Sequence, residues 1–345
     1  MLANWRFGII GCGSVADFHI EAIRHIEEAS LVVVSSRVEA KAQAVADREG
    51  CAWTTDYREL LARSDVDIVC VTTSSGSHAA IGLAVVNAGK HLIIEKPISM
   101  NVNDAERLVQ AARANNVTLS VISQRRFEAQ NQAIKRVLDE GALGKLLLVE
   151  VSLPFHRSQS YYDSAEWRGT IAEDGGALMN QGIHCLDLLL WFAGDVHTVF
   201  GKVATQTHEM EAEDLGLAIL QFKNGAFGTI MASTSIAPGF AATINLYGEK
   251  GSIKLEGSTI VHWTVPGRSE PTWAQAGAYG GITDPRSIAS DFHQSQLLDV
   301  MASIESGDEP LVTGEAGLRA VQLVEQIYKS AAEGRQLTLP QYKGE

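Results

Sequence analysis

An α/β fold that opens on a parallel sheet is what this sequence predicts, and three observations carry the prediction. Apolar residues Phe7-Gly8-Ile9-Ile10 run straight into Gly11-x-Gly13-x-x-Ala16, after which Asp17 to Ile26 reads as a helix. Short continuous apolar runs, Leu31-Val32-Val33-Val34 and Ile68-Val69-Cys70-Val71, alternate with helical stretches, the mark of strands buried on both faces. A third such strand, starting at His91, stops at Glu95-Lys96-Pro97.

Each small residue of the first motif has a mechanical reason. Gly11 allows a tight strand-to-helix turn, Gly13 lets the backbone approach a pyrophosphate, and Ala16 keeps the helix close to the sheet. The phosphates then meet the N-terminal N–H groups and dipole of the helix that follows. A glycine-rich turn alone is weak evidence. A strand before it, a helix after it and a second strand at the expected distance make it a dinucleotide site.

The composition bounds the rest. A length of 345 residues suffices for two domains, and 46% hydrophobic residues suit a globular chain. The formal net charge of -13 argues against nucleic acid or an anionic membrane as partner. The first strand begins within a few residues of Met1, so no signal peptide is expected, and no apolar run approaches a bilayer span. Cys12, Cys51, Cys70 and Cys185 form no Cys-x-x-Cys pair; they read as reduced thiols of a cytoplasmic protein with no metal site.

Along the first domain, strand Leu31–Val34 ends at Ser35-Ser36-Arg37, and a helix follows from Glu39 to Glu49. Where NAD-binding versions of this arrangement place a carboxylate for the ribose hydroxyls, the chain has Ser36 beside Arg37, with Lys41 one turn on. A hydroxyl and two cations suit a 2′-phosphate, so NADP(H) is expected over NAD(H). The strand from Asp65 delivers Thr72-Thr73-Ser74-Ser75-Gly76-Ser77-His78, a polar loop placed for ribose and phosphates. His78 reads as capping or lining helix Ala79–Asn87 rather than as a catalyst. Lys96, aimed by Pro97 and an expected cis peptide, could bond a substrate hydroxyl or carbonyl oxygen; the plainer alternative is a salt bridge to Glu95. Helix Asn103–Asn115 and strand Thr118–Ser123 close the domain.

With Gly11-x-Gly13-x-x-Ala16 and Glu95-Lys96-Pro97, and with the segment around His184, the whole chain resembles the Gfo/Idh/MocA oxidoreductases, such as glucose–fructose oxidoreductase and inositol dehydrogenase. The resemblance implies a Rossmann dinucleotide-binding domain over 1–123 and, over 124–345, an α/β domain for substrate binding and oligomerisation with a large open, mostly antiparallel sheet. It implies cofactor contacts at Gly11, Gly13, Ser14, Val15, Ser36, Arg37, Lys41, Thr72, Thr73, Ser75, His78, Glu95, Lys96, Pro97 and Gln124. It also implies a homodimer or homotetramer formed through the second sheet.

In the second domain, helix Ala129–Glu140 and strand Leu146–Leu153 precede an aromatic and basic stretch holding Tyr161-Tyr162 and Trp167-Arg168-Gly169. Arginine beside aromatic rings suits a polyhydroxylated or anionic ligand, or an ordinary loop pinned by buried rings. The segment Glu173-Asp174-Gly175-Gly176 then leads into a helix running to Phe192, on which Asn180, His184 and Asp187 share a face at i, i+4 and i+7. Imidazole suits proton exchange with an alcohol near neutral pH, so Lys96 and His184 are the catalytic candidates. The substrate candidates are Asn180, Arg168, Tyr161, Trp167, Arg126 and Asp187, the last also able to hold the imidazole or to serve the helix. The family commonly has aspartate where Asn180 stands. In that feature, and in the Tyr161-to-Gln181 run, the chain is most similar to UDP-N-acetyl-glucosaminuronate 3-dehydrogenases.

Alternating strands recur over Thr198–Thr207, Leu215–Phe222, Gly225–Thr234, Ala242–Tyr247, Ser252–Leu255 and Thr259–Thr264. The glycine-rich 273–285 stretch reads as a lobe at the site with Tyr279 a candidate contact, and helices Ala289–Ser306 and Glu315–Glu333 end the domain. His293 reads as a packing residue. The expected function is hydride transfer between nicotinamide C4 and a hydroxyl or keto carbon of a sugar, inositol or nucleotide sugar. A redox-neutral lyase or hydrolase that oxidises sugar C3 transiently, or a non-catalytic cofactor sensor, would use the same fold.

Overall fold

The structure, a computed structural model, describes residues 4–272 and 291–340. Its first stretch alternates strand and helix: β1 (Trp5–Ile10), α1 (Ala16–Arg24), β2 (Ala29–Ser35), α2 (Glu39–Glu49), β3 (Ala52–Thr54), α3 (Tyr57–Leu61), β4 (Ile68–Val71), α4 (His78–Asn87), β5 (His91–Ile94), α5 (Val102–Ala114) and β6 (Leu119–Val121). All six strands are parallel, in the order β3-β2-β1-β4-β5-β6. The reversal between β1 and β4 makes the switch point outside the strands' carboxyl ends, where open α/β sheets bind ligands. β4 is buried along its whole length, which is why it reads as an unbroken apolar run. Strand β3 escapes sequence reading because three residues are too few to show a period.

The second stretch runs α6 (Ala129–Asp139), β7 (Leu146–Pro154), α7 (Gln159–Tyr162), α8 (Ile183–Ala193), β8 (Val196–Ala204), β9 (Leu215–Phe222), β10 (Phe227–Ser233), β11 (Thr243–Gly248), β12 (Ser252–Glu256) and β13 (Thr259–Thr264). After the undescribed residues come α9 (Asp291–Ser306), α10 (Gly314–Glu333) and β14 (Leu337–Thr338). The second sheet has eight strands in the order β13-β12-β11-β7-β10-β9-β8-β14, every neighbouring pair antiparallel except β7 with β10. In β9 exposed and buried residues alternate, Leu217 and Ile219 outward and Leu220 and Phe222 inward, so one face of the sheet carries the core.

The chain divides into two compact units, and the division is not a single cut. The first takes the chain up to Gln124 and also the stretch through α9 to Leu318; the second takes the remainder. The sequence reading gives α9 to the second domain. In the structure Leu297, Val300 and Met301 of α9 join Ile20 and Ile23 of α1 in one buried cluster, and Gln294 donates to the His25 carbonyl. An apolar stripe on a helix says that it packs, not on what.

Candidate active site

In the first unit, Gly11 carries the turn out of β1. Its φ is +109°, and a Cβ there would meet the Thr72 carbonyl carbon and oxygen at 2.7 Å, so only glycine fits. At Gly13 a Cβ would meet nothing within 4 Å, which leaves an open space in front of α1. The first turn of α1 has no side-chain cap, and Ser14 and Val15 are exposed at its start. Ala16, 1% exposed, seats the helix on the sheet. This is the shape and polarity a pyrophosphate needs, so the residues fit a dinucleotide.

At the end of β2, Ser36 accepts from the Val38 N–H at 3.2 Å, and Arg37 and Lys41 are exposed beside it. Across the switch point the Thr72 hydroxyl donates to the Gly11 carbonyl at 2.7 Å, and Ser77 donates to the Thr73 hydroxyl at 2.8 Å in the 3-10 turn that begins at Ser75. His78 starts α4 as expected but is buried. Its Nδ1 lies 2.7 Å from the Pro97 carbonyl and its Nε2 3.1 Å from the Thr73 carbonyl, which seats it between the two loops. Burial pushes its imidazole below the ordinary range. Gln124 is buried, and its side-chain oxygen has no hydrogen-bond partner among the described residues. An amide of a bound ring would satisfy it.

Lys96 sits at the β5 edge, its peptide to Pro97 is cis, and its N–H lies 3.3 Å from Glu95 Oε2. Glu95 is not a surface partner. It is buried, with Oε1 2.9 Å from Nε2 of His19 on α1 and 3.9 Å from Nε2 of His293 on α9. Burial alone would lower His19 and raise Glu95. Cys70 and the Glu95 carboxylate, which accepts from Nε2, instead hold His19 up at about 10, and His19 draws Glu95 down to about 2. His293, stacked on Phe18 at 5.4 Å, is pushed down to about 4 by burial, consistent with a packing role. The three ligand atoms lie within 4.8 Å of one another, but the carboxylate is already bonded to one imidazole, and neither His19 Nδ1 nor His293 Nδ1 has a hydrogen-bond partner among the described residues. That is an ion pair with a neutral neighbour, since metal-bound histidines normally donate their second N–H.

In the second unit, the segment before α8 differs from the regular helix expected. Ala177–Gly182 forms a π-helical turn, and α-helical geometry begins only at Ile183. The wider turn interrupts the regular 3.6-residue spacing between Asn180 and the helix that carries His184 and Asp187. Gly176 is required here, because a Cβ would lie 2.0 Å from Glu213 Oε2 and 2.3 Å from the Glu213 carbonyl oxygen. Glu213 accepts from the Leu178 N–H at 2.8 Å and from the Tyr328 hydroxyl at 3.1 Å, fixing the turn from behind. Burial pushes its carboxyl up to about 7.

Asp174, 2% exposed, accepts from the Asn180 side-chain amide at 2.5 Å and from the Gly169 N–H at 2.8 Å. Just before Gly169, the Arg168 guanidinium lies 4.2 Å from the Tyr161 ring centre and 4.7 Å from that of Trp167. Its buried Nε has no hydrogen-bond partner among the described residues. Arg126 and Asp187 are bonded to each other. Nε donates to Oδ2 at 2.8 Å and an Nη to Oδ1 at 2.6 Å, both side chains are buried, and Arg126 lies over Trp191. These two substrate candidates form a buried pair that ties α8 to the turn before α6. His184 stands in the first turn of α8, half-buried. Tyr279 lies outside the described residues.

Asp174, Glu213 and His19 were not singled out from the sequence. Asp174 had a local signal, an acid directly before Gly175-Gly176. Glu213 and His19 had none, because their partners are 35 and 76 residues away.

Residues 5–123 match the model of the oxidoreductase family with an NAD-binding Rossmann fold, and residues 131–254 match that of the GFO/IDH/MocA C-terminal domain. The WlbA dehydrogenase of Bordetella pertussis, solved in complex with NADH and UDP-GlcNAcA, is 32% identical with a TM-score of 0.87, over 98% of this chain and 100% of its own. A myo-inositol 2-dehydrogenase of Thermotoga maritima is 27% identical over 98% of this chain and 100% of its length. An NADP(+)-linked scyllo-inositol 2-dehydrogenase of Bacillus subtilis is 26% identical over 97% and 96%. With both of its halves matched and a relative this similar along nearly its whole length, the chain belongs to the Gfo/Idh/MocA oxidoreductase family.

Proposed function

We propose that this protein is an NAD(P)-dependent dehydrogenase acting on a CH–OH carbon of a sugar, inositol or nucleotide sugar, with NADP(H) preferred. The observation that carries the reading is the turn at Gly11 and Gly13. Only glycine fits the first position, and the second opens onto the uncapped start of α1. A bound nicotinamide dinucleotide would supply the hydride acceptor or donor. Glycines at 11 and 13, with Ser14, Val15 and the Thr72–Ser75 loop, hold its phosphates and ribose, and the Gln124 oxygen takes a donor of the ring. Ser36, Arg37 and Lys41 favour a 2′-phosphate, because no carboxylate ends β2.

Lys96 and His184 hold and move the proton of the substrate oxygen, and Asn180 and Arg168 position the ring, with Tyr161 and Trp167 flanking the guanidinium. Arg126, Asp187 and His78 serve the framework, and Glu95, bonded to His19, holds the turn at Lys96 through the Lys96 backbone N–H. Arginine framed by aromatics, together with the likeness to a dehydrogenase solved with UDP-GlcNAcA, makes a nucleotide sugar the first substrate to try. The protein works as a homodimer or homotetramer through the open face of the second sheet. There Leu217, Ile219 and Phe227 are 46%, 60% and 56% exposed.

The first test denatures the purified protein, identifies released nicotinamide by mass spectrometry, and titrates NADPH against NADH by fluorescence. Tighter NADPH binding, reversed in Arg37→Asp, supports the preference; tightly held NAD overturns it. Turnover is then followed with UDP-GlcNAcA and with myo-inositol. Activity surviving in both Lys96→Ala and His184→Ala would sink the role assignment. Light scattering of Ile219→Asp against wild type tests the assembly.

A further inference from the structure

Asn180 and a carboxylate do not present the same thing to a ligand. A carboxylate accepts at both oxygens; an amide accepts at one end and donates at the other, and can turn over. Something must choose which end faces which way. Asp174 is placed to choose.

Its two oxygens are engaged separately, Oδ1 by the Asn180 Nδ2 at 2.5 Å and Oδ2 by the Gly169 N–H at 2.8 Å, and the residue is 2% exposed. An acceptor-only group in that position forces Asn180 to aim its donor end inward. Its Oδ1 is thereby turned to the other side as an acceptor. The same carboxylate anchors the turn that follows Arg168, so one buried group sets two of the proposed substrate contacts. Asn180 lies on the π-helical turn, whose path is fixed independently by Glu213 through the Leu178 N–H. The amide's position and its polarity therefore have different guardians.

We infer that Asp174 is a positioning residue for the proposed reaction: it fixes the polarity of the Asn180 amide so that an acceptor, not a donor, meets the substrate's hydroxyl. The inference rests on the functional reading above for its kinetic arm only. Three variants separate polarity from mere stability. In Asp174→Asn the new amide keeps its oxygen on the Gly169 N–H and points its NH2 at Asn180. Asn180 keeps a hydrogen bond only by turning over, which reverses its polarity at small cost to the fold. In Asn180→Asp two carboxylates meet at hydrogen-bond distance, which destabilises by like-charge repulsion. In the exchanged pair, Asp174→Asn with Asn180→Asp, every bond is satisfied again and position 180 still presents an acceptor.

The experiment measures melting temperature, NAD(P)H affinity and kcat/KM on UDP-GlcNAcA for wild type, both single variants and the exchanged pair. For Asp174→Asn the expected result is a melting temperature close to wild type, unchanged cofactor affinity, and kcat/KM down roughly 10-fold, the loss of one neutral hydrogen bond to the substrate's hydroxyl. Asn180→Asp melts lower, and the exchanged pair recovers both melting temperature and most of the activity. Additive melting shifts across the four proteins, or an exchanged pair no better than the single variants, overturns the inference. So does wild-type kcat/KM in Asp174→Asn. If wild type turns over neither UDP-GlcNAcA nor myo-inositol, the functional reading fails, and the melting cycle still decides whether the two residues are coupled as described.

Discussion

Replacing Glu213 by glutamine should make this protein more stable at neutral and alkaline pH, and by an amount that depends on pH in a defined way. The carboxyl is buried behind the π-helical turn, where burial raises it from an ordinary 4.5 to about 7. Between those values the folded chain keeps a proton that the unfolded chain has released, so stability falls as pH rises through the window. A shift of about 2.5 units corresponds to a loss of roughly 3 kcal/mol between about pH 4.5 and 7, levelling off above it. Glutamine is nearly the same shape and its Oε1 can accept from both the Leu178 N–H and the Tyr328 hydroxyl, as the Glu213 Oε1 does. It does not titrate. Denaturant unfolding of the two proteins side by side should therefore show the variant gaining on wild type by about 3 kcal/mol from about pH 5 to 8. A stability difference that stays flat over that range would refute a buried, raised carboxyl at this position.

Gly11→Ala should abolish measurable NAD(P)H binding in a fluorescence titration, because the added methyl group meets the Thr72 backbone at 2.7 Å and the φ of +109° is closed to alanine. Arg126→Ala should cost about 3–5 kcal/mol in denaturant unfolding by leaving Asp187 charged and buried, whereas joint replacement by Arg126→Met and Asp187→Leu should recover most of it. The His19–Glu95 pair gives a pH signature. With His19 raised to about 10, its contribution is complete below about 6.5 and lost as pH rises through 10. With Glu95 lowered to about 2, its contribution is complete above about 4.5 and lost as pH falls through 2. Thermal melts of His19→Gln should accordingly lack the alkaline fall that wild type shows between about pH 7 and 10; an identical alkaline limb in both would rule the pair out as its source.

Much of the fold was written in local pattern. The continuous apolar runs of β2 and β4 and the alternation in β9 each state how many faces of a strand are buried, and the glycine spacing after β1 states what the turn must do. Those are properties of neighbouring residues, so a single sequence carries them.

What the sequence could not decide were the partners. Arg126 looked like a ligand contact and is held by Asp187, 61 residues on; Glu95 looked like a cofactor contact beside Lys96 and is bonded to His19, 76 residues earlier. The π-helical turn at 177–182 depends on Glu213 filling the space that Gly176 vacates, a contact no periodicity announces. Helix α9 shows its apolar stripe in the sequence, but only the fold assigns it to α1. Local pattern fixes which elements form, because backbone geometry repeats every two or 3.6 residues. Which charge meets which, and hence which polar side chains remain for chemistry, is settled only when distant segments are packed together and each buried group must find its partner.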